Sequence, residues 1–516
     1  MKLPVISATK VHNYLKKDPI LDWVNLYGEK KQSDKSLQHI LNRGILFENE
    51  VVNYLRKQFN VKTVSDKYSN FYAKKTISYM KQGIPIIHSA PLYHPHLRLR
   101  GIADLLIRKD ILHQIINNVE ETKDTSYVVI DIKYTTINLR SDKIHILNSP
   151  NILAYKGQVY IYNEILNYIQ KSKGTRAYLL GHRYKVNDQI FNSCFSHLGT
   201  VDFSGVDKAI PSQTSFAIDW YRDLILHGKS WDIHNPHRIE LFPNMTNHDN
   251  NLSQLAEQIR EITMIWQCGY LQRKLAFEHK VTSWRDPKCT AELLGFKGKR
   301  AELINNILNI NRDETIKTGE IVTKSNLDWL VDDDVAYVDF ETTNNILQSG
   351  LNIPVISTVF MIGIYYKDQS DWKYTCFCCK ELTYEEEARI ALDFVQFVNK
   401  INNPKLVMWY AEETLWNKLI TKHNLPQVNW FNLYDKFIKE PILIKGCFSF
   451  GLKAIVKALY GTAKEGNCTN GLDALIHAYI SYQKGEGVTE DVIKYNEMDC
   501  KNLYLIVTNL KEISKF

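Results

Sequence analysis

The stretch Tyr-Val-Asp-Phe-Glu-Thr-Thr, residues 337–343, places two carboxylates two positions apart inside an apolar run. Because side chains alternate along a β-strand, Asp339 and Glu341 share one face while Val338 and Phe340 enter the core. Two like charges at one place cost free energy unless a cation lies between them, and carboxylate oxygens suit a hard divalent metal ion. The stretch therefore predicts a strand that carries either a metal site or a solvated acidic pair on a sheet edge.

Three further strands are predicted after this stretch, at residues 359–366, 372–379 and 406–410. Glu412 follows the last of them, at the start of a predicted helix. Near the end of the chain, Tyr495 and Asp499 lie four residues apart on another predicted helix and so share one face. Three successive strands with two acids on the first are the beginning of a ribonuclease H-like layout.

Asp-x-Glu on a first strand, an acid after the fourth strand and Tyr-x-x-x-Asp on a late helix resemble the DEDD exonuclease group in its tyrosine-bearing form. The resemblance implies that Asp339, Glu341 and Asp499 bind two Mg²⁺ or Mn²⁺ ions and that Tyr495 orients the attacking water. Family members carry aspartate at their second motif, where this chain offers Glu412. Less suitable substitutes are Glu413, Asp435 and Asp473. This departure leaves open whether the second site cuts or only binds.

The N-terminal third carries a separate set of acids. Residues 97–107 and 127–134 predict two strands, with Asp104 inside the first and with Asp131 and Lys133 on one face of the second. Glu48 lies at the border of the apolar face of a predicted helix. Acids that hold a metal ion beside a lysine that stabilises negative charge are suited to phosphodiester hydrolysis. The alternative is an ordinary salt bridge on a sheet.

The tetrapeptides GIAD and IDIK, followed by a Gln-x-x-x-Tyr helix, resemble the RecB-like branch of the PD-(D/E)XK nuclease superfamily. The resemblance implies metal binding by Glu48, Asp104 and Asp131. Lys133 would be the catalytic lysine, with Gln158 and Tyr162 as supporting residues of the same site. Some members carry four cysteines for an iron–sulfur cluster, but this region has only Cys194, so no such cluster is expected.

The order of these features predicts an α/β chain of three parts. Residues 1–240 are expected to form a PD-(D/E)XK restriction-endonuclease-like, RecB-like nuclease domain, residues 241–325 a helical connector, and residues 326–516 a ribonuclease H-like DEDD exonuclease domain with a mixed sheet. The same order is found in proteins that fuse a RecB-like nuclease to a ribonuclease H-like domain. In the connector, Gly295, Gly298 and nearby basic residues predict either contact with a nucleic-acid backbone or a solvated link.

Composition sets further limits on function. The chain has 516 residues, of which 44% are hydrophobic and 23% charged, which excludes a disordered chain. Its net charge of +7 permits a polyanionic partner without requiring one. The sequence has no apolar run of about 18 residues and no apolar N-terminal signal, so we expect a soluble intracellular protein of the cytoplasm or nucleus, without a membrane partner.

These features together predict a metal-dependent nuclease that uses Mg²⁺ or Mn²⁺ and acts on nucleic acid, with DNA favoured over RNA and exonuclease action favoured. The first site looks complete and is the expected main catalyst. The sequence contains no P-loop, so unwinding would need a helicase or another replication or repair protein as partner. The competing hypothesis is a nucleic-acid-binding or assembly protein whose nuclease folds no longer cut, and a hydrolase of small phosphoesters is a weaker third.

Overall fold

A computed structural model describes residues 3–29, 35–117, 119–234, 238–245, 250–323, 327–330, 334–343, 351, 357–461, 468 and 470–513. The chain divides into two compact units. The first contains Met1–Pro243, and the second contains Asn244–Leu347 together with Ile356–Phe516. The three-part division at residues 240 and 325 stays a prediction. No helix within the described residues is long and apolar enough to span a membrane.

The first unit is built around one mixed sheet. Its described strands are β1 Ile6–Ser7, β2 Val61–Thr63, β3 Ile86–His94, β4 Leu99–Arg108, β5 Tyr127–Leu139, β6 Arg176–Val186, β7 Gln189–Phe191 and β8 Gly199–Asp202. Its described helices are α1 His12–Leu15, α2 Ile20–Tyr27, α3 Lys35–Arg56, α4 Asn70–Lys81, α5 Lys109–Ile115, α6 Pro150–Gln170 and α7 Ile210–His227. The sheet order is β2-β3-β4-β5-β6-β7, with β1 beside β4 and β8 beside β6.

The ladder between β4 and β5 opens in the middle of the sheet. These antiparallel strands pair from Arg108 with Tyr127 to Leu105 with Ile130, and β5 then pairs in parallel with β6. Immediately beyond the last pair, the Asp104 Oδ2 atom accepts a hydrogen bond from the Ile132 main-chain N–H at 2.7 Å. A side chain thus replaces a main-chain partner where the two strands separate.

Two apolar cores cover the two faces of this sheet. Leu106 and Val129 belong to a core that includes residues of α6 and α7, whereas their chain neighbours Leu105 and Ile130 belong to a core with residues of α3. Because adjacent strand residues point to opposite faces, α6 and α3 pack on opposite sides. The opening between β4 and β5 can therefore be reached by side chains from both helices.

The second unit begins with helices and continues into a second mixed sheet. Its described helices are α8 Asn250–Ile259, α9 Tyr270–Glu278, α10 Gly298–Arg312, α11 Tyr384–Lys400, α12 Glu412–His423, α13 Leu433–Lys439, α14 Leu452–Tyr460, α15 Gly471–Gln483 and α16 Glu490–Ile513. Its described strands are β9 Ile321–Thr323, β10 Val335–Thr342, β11 Val359–Asp368, β12 Asp371–Cys378, β13 Lys405–Met408, β14 Trp430–Asn432 and β15 Ile442–Ile444.

The larger sheet of this unit has the order β12-β11-β10-β13-β14, and β15 pairs with β9 in a separate ribbon. Strands β12, β11 and β10 form an antiparallel meander, whereas β13 and β14 run parallel to β10. The strand that carries Asp339 and Glu341 is therefore central rather than an edge. Helix α16 packs against β10 and β11, which brings Tyr495 and Asp499 to the central strand.

Candidate functional sites

The first candidate site lies where β4 and β5 separate. Asp131 is fully buried, and the Lys133 Nζ atom lies 2.5 Å from its Oδ2 atom. Burial and the neighbouring Asp131 carboxylate raise the pKa of Asp104 well above its usual range. Burial opposes protonation of Lys133, but the charges of Asp131 and Asp104 outweigh it and raise the pKa of the lysine. The structure thus brings these three predicted residues together, with Lys133 as an ammonium ion.

Helix α6 supports this group from one face of the sheet. The Gln158 Nε2 atom donates to Asp131 Oδ1 at 3.3 Å and to the Tyr162 hydroxyl at 2.9 Å. On its other side, the Gln158 Oε1 atom lies 2.8 Å from the His12 Nε2 atom. Burial lowers the pKa of His12 to about 4, so the imidazole is neutral at pH 7 and donates through Nε2. His12 therefore fixes which end of the Gln158 amide faces Asp131.

Glu48 reaches the site from α3, on the opposite face. Its Oε1 atom lies 3.0 Å from the Nε2 atom of His88, and the His88 Nδ1 atom lies 3.0 Å from the Thr63 hydroxyl. Arg56 donates to that hydroxyl at 2.8 Å, which directs the hydroxyl proton of Thr63 to His88 and the Nε2 proton of His88 to Glu48. The charge of Glu48 also contributes to the raised pKa of Asp104. All predicted residues of this site are thus coupled directly or through one neighbour.

The second candidate site lies on the central strand of the second sheet. Burial and the charges of Glu341 and Asp499 raise the pKa of Asp339 well above its usual range. Burial and Asp499 raise the pKa of Glu341 to about 8. Burial likewise raises the pKa of Asp499, while a hydrogen bond from Tyr495 lowers it. Three of the predicted acids and the predicted tyrosine therefore meet at one place.

Glu412 begins α12, directly after the fourth strand of the domain. Its Oε2 atom accepts hydrogen bonds from the main-chain N–H groups of Tyr410 and Ala411, at 3.2 and 3.1 Å. The side chain is buried, and its charge contributes to the raised pKa values of Asp339 and Glu341. Glu412, the longer carboxylate at the second motif, therefore lies close enough to Asp339 and Glu341 to influence their ionisation.

The three other acids considered for the second motif lie in surroundings that differ from those of Glu412. Glu413 is exposed. Asp435 pairs with Lys439 on α13, with 2.6 Å between Oδ2 and Nζ. Asp473 accepts a hydrogen bond from the Asn470 side chain at the start of α15. Among the four acids considered, Glu412 is thus the one that fits the candidate site.

Two residues of the second site were missed by sequence analysis. Asn496 donates to Asp339, and the Lys453 Nζ atom lies 4.5 Å from the ring centroid of Tyr495. The positive charge of Lys453 lowers the pKa values of Asp339, Glu341 and Asp499. Asn496 stands inside the Tyr-x-x-x-Asp motif, but only the packing of α16 on β10 shows that its amide reaches Asp339. His12 and His88 of the first site were missed for the same reason.

The donor chemistry of both groups fits a hard divalent cation. Each group consists of carboxylate oxygens, which Mg²⁺ and Mn²⁺ prefer, and each holds acids whose mutual repulsion a cation would relieve. In the part of the chain that the structure describes, no three His, Cys, Asp or Glu side chains are already spaced as metal ligands. The case for a metal site therefore rests on the kind and charge of the donors.

A comparison with known protein families identifies the type of domain that contains the second candidate site. Residues 336–511 match the RNase_H_2 model, which is described as RNase_H superfamily. The match runs from β10 to α16 and so includes all four acids and Tyr495. The second unit thus contains a ribonuclease H-like domain, which is a nuclease-type fold. No curated protein matches the chain, and the RecB-like resemblance of the first unit stays a prediction.

Proposed function

We propose that the protein is a metal-dependent nuclease that hydrolyses phosphodiester bonds of nucleic acid, with DNA as the favoured substrate and with one site in each unit. The observation that carries the proposal is the group of buried acids on the ribonuclease H-like sheet, in which burial with Glu341 and Asp499 raises the pKa of Asp339, and burial with Asp499 raises that of Glu341. Buried carboxylates that repel one another destabilise a fold, so their presence favours a functional role over a structural one.

In the first site, Lys133 and Gln158 have separable roles. A bound Mg²⁺ or Mn²⁺ ion supplies charge neutralisation at the phosphate and a lowered pKa for a bound water. Lys133 is an ammonium ion because of its acidic neighbours, so it stabilises negative charge that develops on the phosphate rather than removing a proton. Gln158 holds the carboxylate of Asp131 in a fixed orientation, and the neutral His12 holds Gln158.

In the second site, Tyr495 acts through its hydroxyl oxygen. Burial and the surrounding carboxylates raise the pKa of Tyr495, so the phenol keeps its proton at neutral pH. That proton is donated to Asp499, which leaves the oxygen to accept a hydrogen bond from the attacking water. The resemblance to the tyrosine-bearing DEDD group implies a 3′–5′ exonuclease-like site here, with Glu412 in the role of the second aspartate.

The first unit is proposed to be a PD-(D/E)XK nuclease domain of the RecB-like kind. Its support is the position of Asp104 and Asp131 on neighbouring strands that separate beside them, with Lys133 two residues further along β5. We also propose that any duplex unwinding is supplied by a separate helicase or another replication or repair protein.

Cleavage of end-labelled DNA and RNA by the full chain, with Mg²⁺ or Mn²⁺ and with EDTA, tests the proposal. Metal-stimulated cutting that EDTA abolishes is expected. Tight binding without cutting would instead support the competing function, a nucleic-acid-binding or assembly protein. Hydrolysis of nucleotides or of a chromogenic phosphodiester, without cleavage of either polymer, would indicate that the substrate is a small phosphoester rather than nucleic acid.

A further inference from the structure

The β3–β4 hairpin carries a surface that the two candidate sites do not use. On one face of the hairpin, Leu92 on β3 and Leu99 and Ala103 on β4 are buried in the core that includes α6. Because strand side chains alternate, the intervening residues Tyr93 and Arg100 lie on the other face, and their register places them opposite each other. This is the face on which α3 lies and from which Glu48 reaches the first site.

Tyr68 joins these two residues from a neighbouring loop. The chain after β2 follows β3, because the main-chain N–H groups of Val64 and Ser65 donate to the carbonyls of His88 and Ser89. The loop then brings the Tyr68 ring to 6.4 Å from the Tyr93 ring and to 5.0 Å from the Arg100 guanidinium carbon. Both tyrosines are half-buried, so each side chain is held in place and is still partly accessible to solvent.

Arg100 has a free hydrogen-bonding fork. It is exposed, and within the described residues no carboxylate forms an ion pair with it. Its guanidinium is oriented by the Tyr68 ring, which leaves its N–H groups available for an anion. Arginine binds phosphate through two parallel hydrogen bonds, so this residue is arranged for a phosphate oxygen.

The distance to the first site suits a polymer. Arg100 precedes Asp104 by four residues on β4, which corresponds to roughly 13 Å along the strand. A phosphate held at Arg100 is therefore separated from a phosphate at Asp104, and one small phosphoester does not reach both. A nucleic-acid strand has phosphates along its length and reaches both places.

We infer that Tyr68, Tyr93 and Arg100 form a binding surface for single-stranded DNA that leads to the first site, an inference that rests on the proposed function. Arg100 binds a backbone phosphate and the tyrosine rings stack on bases. Partly accessible aromatic rings beside a cation suit a single strand, because each unpaired base offers a π-face, whereas a duplex hides its bases in the stack. We call these three residues the Arg100 surface.

Binding in EDTA tests the surface without any cleavage. Fluorescence anisotropy of a labelled 12-nucleotide DNA strand would compare the full-length protein with Arg100→Ala and Tyr68→Leu. Each variant is expected to bind at least about fivefold more weakly, because stacking and phosphate contacts of this kind contribute that much. Arg100→Ala should also reduce the slope of log affinity against log salt by about one unit.

Two control variants separate this surface from general charge and from the phenol hydroxyl. Lys208→Ala removes an exposed positive charge at the turn before α7. The end of α7 near the hairpin is marked by Arg222, which donates to the Leu97 carbonyl. Lys208 lies at the other end of the helix, about 18 Å away along its axis. Tyr68→Phe keeps the ring. Both controls should bind like the unmodified protein. Binding of all four variants within about twofold of the unmodified protein would overturn the inference, because a true phosphate or stacking contact contributes more than that.

The nature of the strand is tested by two further probes of the same sequence. Duplex DNA should bind more weakly and without dependence on Tyr68, and equal, Tyr68-dependent binding of the duplex overturns the single-strand assignment. Tighter, Tyr68-dependent binding of the RNA strand overturns DNA as the occupant.

Photo-cross-linking of a strand that contains 4-thiothymidine locates the bound strand independently of its affinity. Adducts in peptides that contain Tyr68 or Tyr93 are expected, and adducts confined to the second unit overturn the inference. Because no metal is present, a failure of the nuclease assay would remove the proposed function and leave these binding results unchanged.

Discussion

Asn496 donates hydrogen bonds to the carboxylate and to the main-chain oxygen of Asp339, at 2.8 and 3.2 Å. Its own Oδ1 atom accepts from the Tyr374 hydroxyl at 2.9 Å. The space for this amide exists because residue 363 is glycine, since a Cβ atom there would lie 1.7 Å from Asn496 Oδ1. One glycine on β11 thus decides the orientation of a predicted metal ligand on β10.

Gly363→Ala is therefore expected to displace Asn496 and to weaken the second site. The loss should be about 10- to 100-fold in metal affinity or activity, as is usual for residues that orient metal ligands. The measurement is 3′-end degradation in a Lys133→Ala background, which keeps the first site silent. Gly269→Ala is the control, because a Cβ atom at that position meets nothing within 4 Å. Equal rates for the two variants would contradict the role given to Asn496.

The adjacent acids Glu412 and Glu413 provide a second comparison. Glu412 is buried and acts on Asp339, whereas Glu413 is exposed. In the same Lys133→Ala background, Glu412→Gln should reduce second-site cleavage at least about tenfold, because it removes a negative charge from the proposed metal site. Glu413→Gln should leave the rate unchanged. A second site that tolerates Glu412→Gln either uses another ligand or does not cut.

His88 is expected to control metal affinity at the first site. It connects Glu48 to Thr63, so His88→Ala frees the Glu48 side chain and should weaken Mn²⁺ binding by about 10- to 100-fold. Electron paramagnetic resonance titration of Mn²⁺ measures this directly, with an Asp339→Asn background to remove second-site binding. His227→Ala, which changes an exposed histidine on α7, should bind Mn²⁺ normally. Unchanged affinity in His88→Ala would show that Glu48 needs no support.

A pH-dependent free energy of unfolding is expected from Asp22 on α2, which is not one of the predicted site residues. Burial raises the pKa of Asp22 to about 7, and its Oδ1 atom accepts from Asn13 at 2.8 Å. Between about pH 4 and pH 7 the folded state binds a proton at Asp22 that the unfolded state has lost, so this group lowers the free energy of unfolding as pH rises. Below pH 4 both states are protonated and the effect is absent.

Asp22→Asn keeps the oxygen that Asn13 contacts and removes the charge. At pH 8 it should raise the free energy of unfolding by at most about 4 kcal/mol relative to the unmodified protein, and the gain should shrink towards zero near pH 4. Urea unfolding at several pH values measures this difference. Asp219→Asn, at an exposed position on α7, should show no such trend. A gain that is independent of pH would mean that Asp22 is ionised in the folded state.

Strand alternation and helix spacing were sufficient to predict which acids of the second candidate group share a face. Asp339 and Glu341 needed only a two-residue period, and Tyr495 and Asp499 only a four-residue one. The predicted strands at 359–366 and 372–379 correspond to β11 and β12, because each is an apolar run with a polar turn between them. These features depend on neighbours in the chain, which a sequence displays.

His12 and Asn496, which support the acids, could not be predicted in the same way. His12 meets Gln158 across 146 positions, and Asn496 meets Asp339 across 157. Neither lone His nor lone Asn has a local pattern that distinguishes a buried partner from a solvated one. Glu412 was ambiguous for a related reason, because only the turn from β13 into α12 decides which of two adjacent acids points inward.

The central claim is that the protein has two separate catalytic sites, each a group of acidic side chains that cleaves nucleic acid with the help of a metal ion. Its most direct test is the Mg²⁺-dependent cleavage rate of an end-labelled DNA strand by four full-length proteins, namely the unmodified chain, Lys133→Ala, Glu341→Gln and the double variant. Circular dichroism would verify that each is folded, and Lys57→Ala serves as an exposed-lysine control. Each single variant is expected to keep part of the cleavage and to lose a different part of the product pattern, and the double variant should retain none. Full activity in the double variant would contradict the account.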